Sequence, residues 1–236
     1  MKKINNQNGR SMIEMLGVLA IIGVLSVGGI AGYSKAMMKY RINKTIEQIT
    51  LIAGNVRAFF ASQKNYDGLD SANVGSDNGL ALIKKAKLVN EEMIDENNEI
   101  VDEDLSHTHH IFNSFGGGVA LWDDYQGTAN VPGTPHTKYF QIIYFRLPQE
   151  VCIELVTQNW SNSAMGLKVL IINSKEELDE FGNVKDSCSD NNGLINGTKT
   201  IACPNGKTVP IPVPLDIAVD ACNCPNNDCT IIWGFK

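Results

Sequence analysis

The sequence has few charged residues, and it lacks the basic excess that nucleic-acid-binding proteins carry. Charged residues make up 19% of the 236 residues, and 20 Lys and Arg stand against 26 Asp and Glu, which gives a net charge of -6. A general nucleic-acid binder needs a basic surface to contact phosphates. We therefore expect no nucleic-acid partner.

Catalytic and cofactor-binding motifs are also missing. The chain contains no GxSxG nucleophile elbow, no phosphate-binding P-loop and no HExxH zinc motif. The glycines at 116–118 are followed by neither Lys-Ser/Thr nor a helix pattern, so they predict a turn. His107, His109 and His110 have no Cys or carboxylate at metal-ligand spacing, which favours a surface cluster. We expect no metal, no cofactor and no catalytic residue, with a membrane-anchored enzyme as the alternative.

Long apolar runs are scarce, and the chain has only one, the uncharged stretch Met15–Tyr33. A helix needs about 20 such residues to cross a bilayer, so this stretch is just long enough. Basic residues lie on both sides of it, so they do not fix an orientation. The mean hydropathy of -0.11 excludes a protein with many membrane spans.

Two simple interpretations of the apolar run leave one residue unexplained. A secretory signal peptide has a shorter apolar core, and a small-residue cleavage site follows it. A plain membrane anchor would explain the length of the run. Neither explains Glu14, which lies at the edge of the run. An unpaired carboxylate in apolar surroundings costs several kcal/mol, so something must compensate it.

A third interpretation accounts for this carboxylate. Residues 9–14 read Gly-Arg-Ser-Met-Ile-Glu and are followed by MLGVLAIIGVLS, which resembles the class III signal of type IV prepilins. In that family a peptidase cuts after the glycine, the new N-terminal residue is methylated, and the fifth mature residue is Glu. The resemblance implies cleavage between Gly9 and Arg10, N-methylation of Arg10, and Glu14 as the fifth residue. The family usually has an apolar first residue, whereas the charged Arg10 would reach the lipid headgroups.

The resemblance also implies a role for Glu14 in assembly. In pilins this carboxylate pairs with the N-terminal amine of an adjacent subunit, and opposite charges attract strongly in a low-dielectric helix bundle. Such a pair would fix the axial register between subunits. The alternative is a solvated carboxylate at headgroup level in the first helical turn, where the helix dipole favours it.

The apolar pattern continues beyond the membrane-length run with a helical period. From Ser34 to Phe60, apolar residues recur at three- and four-residue steps with charged residues between them, which predicts an amphipathic helix. We predict one helix over Ser11–Ser62. Its first half suits packing among similar helices, and its second half suits burial against its own globular domain. The chain then divides into a leader (1–9), the helix (10–62) and a globular head (63–236).

The head shows signals for short strands and helices. Short helices are predicted at Leu80–Leu88 and Pro148–Trp160, and strands at Val119–Trp122, Tyr139–Phe145, Leu167–Ile172 and Thr230–Trp233. This order predicts an α+β fold, in which the long N-terminal helix packs on an antiparallel β-sheet. Phe112-Asn113 with Gly116-Gly117, and then Leu147-Pro148-Gln149-Glu150-Val151-Cys152, resemble the type IVb major pilins.

Cysteine is absent from the first half of the chain. The six cysteines are Cys152, Cys188, Cys203, Cys222, Cys224 and Cys229. An even number in an exported segment predicts three disulfides formed in an oxidising compartment. Zinc is the alternative, although the spacing at the C-terminal end is not CxxC and no histidine is near. The pilin resemblance implies a bridge from Cys152 to Cys222 or Cys224, and a bridge between Cys188 and Cys203 would then close a local loop.

These resemblances imply a structural subunit of a type IV pilus. Its partners would be other pilin subunits, the prepilin peptidase and the pilus assembly machinery. The precursor would lie in the bacterial inner membrane, and the mature subunit in a cell-surface pilus. A minor pilin or a type II secretion pseudopilin is the alternative within this class. A membrane-anchored extracytoplasmic binding domain is the alternative from another class.

Overall fold

The structure is a computed structural model of the chain. It describes residues 10–63, 65–66, 68–69, 78–95, 97, 100–102, 107–123, 140–160, 167–174, 200–202 and 208–235. The chain separates into two compact units, Met1–Arg41 and Ile42–Lys236. Helix α1 (Arg10–Phe60) contributes residues to both units, and its bounds lie close to the predicted Ser11–Ser62.

In the second unit, α1 buries one face. The buried residues recur at three- and four-residue steps: Ile42, Thr45, Gln48, Ile49, Ile52, Ala53, Val56 and Phe60. This spacing keeps them on one side of a helix that has 3.6 residues per turn. The single apolar face predicted for this half of the helix is therefore confirmed.

The main sheet lies in the second unit and contains six of the described strands. The described strands are β1 (Ile100–Asp102), β2 (His107–His109), β3 (Val119–Asp123), β4 (Phe140–Leu147), β5 (Leu167–Ser174), β6 (Thr200–Ala202), β7 (Thr208–Pro210) and β8 (Cys229–Phe235). The main sheet has the order β3-β4-β8-β5-β6-β7, and β1 pairs with β2 apart from it.

The sheet is antiparallel over four adjacent strands. β3 pairs with β4, β4 with β8 and β8 with β5, each in the antiparallel sense. The predicted antiparallel sheet is confirmed there. β6 differs because it pairs with β5 in the parallel sense, and β7 then pairs with β6 antiparallel. β6 and β7 have three residues each, too few to show an alternating pattern in the sequence.

Aromatic rings join the end of α1 to the sheet. The ring of Phe60 lies 5.4 Å from that of Tyr66, which lies 4.8 Å from that of Phe140 on β4. Phe140 in turn stacks on Phe235 of β8 at 5.2 Å. Such pairs each add about 0.5–1.5 kcal/mol beyond the burial of their surface. The second part of α1 is therefore packed on the sheet, as the predicted α+β fold requires.

Three short helices complete the described head. They are α2 (Asn78–Lys85), α3 (Gln149–Val156) and α4 (Leu215–Ala221). The sequence predicted α2 and α3, and Pro148 directly precedes α3. It did not predict α4, because a helix of seven residues between prolines is too short to show a period.

Candidate assembly segment

The first part of α1 exposes nearly all of its apolar side chains. We call residues 10–41 the assembly segment. From Met12 to Tyr33 its large apolar side chains are between 51% and 75% exposed. Soluble proteins rarely expose a continuous apolar surface of this extent, and such a surface marks contact with a membrane or another protein. Among the described helices, α1 is long and apolar enough to cross a membrane, and its most apolar window has a mean hydropathy of 2.2 with none of it buried.

Two serine hydroxyls of the assembly segment form hydrogen bonds within the helix. The Ser26 hydroxyl donates a hydrogen bond to the carbonyl of Ile22 at 2.7 Å, and the Ser34 hydroxyl donates to the carbonyl of Ile30 at 3.0 Å. These bonds satisfy both hydroxyl donors within the helix itself. Neither side chain therefore needs water when the segment enters a bilayer or a helix bundle.

Glu14 is the exception, and it is the only charged residue between Arg10 and Lys35. It is exposed on α1. The first turn of α1 contains no acidic residue, so Glu14 lies just beyond the turn where the helix dipole acts most strongly. Arg10 is the first residue of α1, and Gly9 lies outside the described residues.

The glycines of the assembly segment leave open space around the helix. A Cβ atom added at any of them would meet nothing within 4 Å: Gly17, Gly23, Gly28, Gly29 and Gly32. Such positions let the backbones of neighbouring helices approach closely. Apart from Glu14, the run from Met12 to Tyr33 is uncharged, and its glycines leave room for other helices.

The head is tied together by two described disulfides. Cys152 on α3 is joined to Cys222 at the end of α4, across 70 residues. This is one of the two pairings that the pilin resemblance implied for Cys152. Cys224 is joined to Cys229 at the start of β8, a pairing that the sequence left open. Cys188 and Cys203 lie outside the described residues.

The shorter disulfide encloses a turn that contacts the start of α3. Asn226 and Asn227 both have positive φ angles, a conformation that asparagine tolerates better than most residues. The side-chain oxygen of Asn227 accepts a hydrogen bond of 2.6 Å from the backbone N–H of Gln149. It thereby satisfies one of the N–H groups that the first turn of any helix leaves without an internal partner.

The glycines at 116–118 form a turn, as predicted, and it is built around Asn113. The Asn113 side-chain oxygen accepts hydrogen bonds from the N–H groups of Phe115 and Gly117, at 2.8 and 3.1 Å. Its amide nitrogen donates to the carbonyl of Phe145 at 2.9 Å. Gly116 has a φ of +84°, and a Cβ at Gly117 would overlap the Phe145 carbonyl. Glycine is therefore required here by backbone conformation and by close approach.

The described part of the head shows no grouping of side chains typical of a metal site. No three His, Cys, Asp or Glu side chains converge as metal ligands in the part of the chain that the structure describes. The hydroxyl of Tyr144 is fully buried and has no hydrogen-bond partner among the described residues. Burial raises the pKa of this hydroxyl above its usual value, so it stays neutral at physiological pH. It belongs to the aromatic core, 5.6 Å from the ring of Trp233.

Comparison with known proteins identifies the family. The profile of the Bundlin family matches residues 35–209, most of the chain. A solved structure described as a type IVb pilin from Salmonella typhi is similar at 16% identity and a TM-score of 0.44, over 82% of this chain and 99% of that one. No curated protein sequence matches the chain significantly. Because the Bundlin profile covers most of the chain, this protein belongs to the Bundlin family of type IV pilins.

Proposed function

We propose that this pilin is the structural subunit of a type IV pilus. It is made as a precursor with a leader (1–9), a long helix (10–62) and a head (63–236). Prepilin peptidase cuts between Gly9 and Arg10, and the new N-terminal residue is methylated. The pilus assembly machinery then moves the subunit from the inner membrane into a helical filament of identical subunits. Family membership supports the role of a pilin that assembles with other pilins.

The exposed apolar surface of the assembly segment is the observation that carries this proposal. None of the segment's most apolar window is buried in the isolated chain. Each large aliphatic side chain gains about 1.5–3 kcal/mol when it leaves water, so the segment strongly favours an apolar environment. The bilayer supplies that environment before assembly. In a filament, the same helices of neighbouring subunits supply it.

The presence of Glu14 favours a filament subunit over a protein with a plain membrane anchor. A carboxylate that enters an apolar bundle needs a partner, since an unpaired charge there costs several kcal/mol. Cleavage before Arg10 creates a positive α-amino group on every subunit, and that group is near the same end of the helix as Glu14. The amine of one subunit can therefore compensate the carboxylate of the next, which selects one axial register.

A substitution of Glu14 tests this function. We expect Glu14→Ala to abolish the filaments that are sheared from cells, because the register-fixing charge pair is lost, while the membrane retains the normal amount of protein. Glu47→Ala is the matched control, since Glu47 is an exposed carboxylate on the same helix beyond the assembly segment. Immunoblots of the sheared and membrane fractions measure both quantities. Normal filaments from Glu14→Ala would contradict the proposal.

The amounts of wild-type protein in the sheared and membrane fractions distinguish a major pilin from the alternative functions. A major subunit dominates the sheared filaments, whereas a minor pilin or a pseudopilin is present there only in traces. A membrane-anchored binding domain stays wholly in the membrane fraction and keeps its leader. The abundance of the protein in sheared filaments is therefore the first quantity to measure.

A further inference from the structure

Three basic residues follow the apolar run of the assembly segment. Lys35, Lys39 and Arg41 are all exposed on α1, and we call them the basic collar. No Asp or Glu occurs between Glu14 and Glu47, so no carboxylate of α1 lies among them. Glu47 lies about 9 Å beyond Arg41 along the helix axis. The charged residues of the helix are therefore all positive over this stretch.

The basic collar ends where the second unit begins. The next basic residue, Lys44, donates a hydrogen bond of 2.9 Å to the carboxylate of Glu92, and this ion pair lies within the second unit. Ile42 is already buried there. The basic collar is thus the last part of α1 before the helix contributes to the core of the head.

The basic collar and two tyrosines are distributed around the helix axis. Lys35 and Lys39 are four residues apart, so they lie on one face of the helix. Tyr33 and Tyr40 are seven residues apart and share a different face, and their side chains are 67% and 60% exposed. A protein partner covers one side of a helix, whereas lipid surrounds it on all sides. This distribution therefore favours lipid as the partner.

The position of the basic collar along the axis matches the headgroup layer of a bilayer. The helix from Met12 to Tyr33 is about 32 Å long, close to the roughly 30 Å of a hydrocarbon core. Lys35 and Arg41 then lie about 3 and 12 Å beyond Tyr33 along the axis. Their long side chains can reach headgroup phosphates from these positions, and tyrosine is enriched at the same depth.

We propose that the basic collar binds anionic phospholipid headgroups on the outer side of the inner membrane. Ammonium and guanidinium groups donate charge-assisted hydrogen bonds to phosphate oxygens. Each Lys or Arg near an anionic lipid surface strengthens binding by about fivefold, so the collar selects anionic over zwitterionic lipid. The contact holds the subunit at one depth before assembly. This inference rests on the proposed function, which places the assembly segment in the membrane, and it adds the class of lipid.

Lipid binding to the purified full chain tests this selectivity. Every form of the chain carries Lys2→Gln and Lys3→Gln, so that the basic residues of the leader do not bind anionic lipid. The chain in a neutral detergent is titrated with phosphatidylglycerol or with phosphatidylcholine, and native mass spectrometry counts the bound lipids. We expect the affinity for phosphatidylglycerol to exceed that for phosphatidylcholine by at least tenfold. Equal affinities would overturn the inference.

Charge removal shows whether the basic collar is the binding surface. The combined variant Lys35→Gln/Lys39→Gln/Arg41→Gln should lower the affinity for phosphatidylglycerol by at least tenfold and change that for phosphatidylcholine by less than twofold. The matched control replaces three exposed lysines of the head by Gln: Lys84, Lys85 and Lys87. It removes the same charge and should leave both affinities unchanged. An unchanged affinity in the collar variant, or an equal loss in the control, would overturn the inference.

A competition with inorganic phosphate distinguishes a lipid contact from a site for small anions. A tenfold excess of inorganic phosphate over phosphatidylglycerol should displace little of the bound lipid, and full displacement would overturn the inference. The binding measurements need no filaments, so failure of this inference is distinguishable from failure of the proposed function. A chain without lipid preference that still forms filaments overturns the inference alone, whereas a wild type that forms no filaments overturns the proposed function.

Discussion

The two halves of α1 belong to one continuous helix, but the first half exposes its apolar side chains and the second half buries them. Between residues 12 and 36 every side chain is exposed, although most are apolar. Between residues 42 and 60 the apolar residues recur on one side, and that side is buried in the head. The formation of a helix therefore does not by itself determine which surface the helix packs against. The distribution of apolar residues around its axis decides whether it completes the core of its own chain or needs other molecules.

This difference implies two separate energetic roles. The second half contributes to the stability of the head, because its buried face belongs to the core around the sheet. The first half contributes nothing to that core, and its apolar surface is available to a bilayer or to other subunits. Substitutions in the first half should therefore change membrane association or assembly, and substitutions in the second half should change the free energy of unfolding of the head.

A charge placed in each half should separate the two roles most clearly. Ile49 is fully buried, whereas Ile22 is 52% exposed. We expect Ile49→Asp to lower the free energy of unfolding of the head by about 4 kcal/mol or more, because it buries an unpaired carboxylate. Ile22→Asp should change it by less than about 0.5 kcal/mol. Denaturant unfolding of the full chain in detergent, followed by tryptophan fluorescence, measures both. Equal losses would contradict the separation.

Removal of the disulfides should lower the free energy of unfolding of the head and leave the helix of the assembly segment unchanged. The bridge between Cys152 and Cys222 closes 70 residues, and that between Cys224 and Cys229 closes five. The loop-entropy model gives about 4 kcal/mol for the first and about 2 kcal/mol for the second. We expect double Ser variants to lose stability in that order in the same unfolding assay. A smaller loss from the long-range bridge would show that native contacts, not loop length, decide its effect.

Glycine substitutions should have the smallest effects, of opposite sign in the two regions. Gly117→Ala should destabilise the head by about 1–3 kcal/mol, because its Cβ overlaps the Phe145 carbonyl. Gly28→Ala meets nothing within 4 Å, and alanine favours a helix over glycine by about 1 kcal/mol. It should raise the helicity of the assembly segment in detergent without changing the stability of the head. Circular dichroism and the unfolding assay report these two effects.

The long helix and the central strands could be predicted because their signals are extended. α1 carries its pattern over 51 residues, and β4, β5 and β8 are runs of β-branched and aromatic residues. The turn at Gly116 could also be predicted, since consecutive glycines mark a backbone that few other residues adopt. In each case the local sequence and the final fold favour the same conformation.

The C-terminal part of the head could not be predicted in the same way. α4, β6 and β7 are too short to show a period, and tertiary pairing and the bridge at Cys222 hold them. The parallel pairing of β6 with β5 depends on contacts across a long connection, which a local pattern does not encode. The pairing of Cys224 with Cys229 likewise depended on geometry, because six cysteines allow 15 arrangements.

If the assembly segment is the contact surface between subunits, it must stay on the mature protein. The N-terminal sequence of the protein recovered from sheared filaments tests this most directly. We expect a chain that begins at a methylated Arg10 and retains Glu14 and the whole apolar run. A chain that begins at Met1, or that begins beyond Tyr33 because the run was removed as a signal peptide, would contradict it.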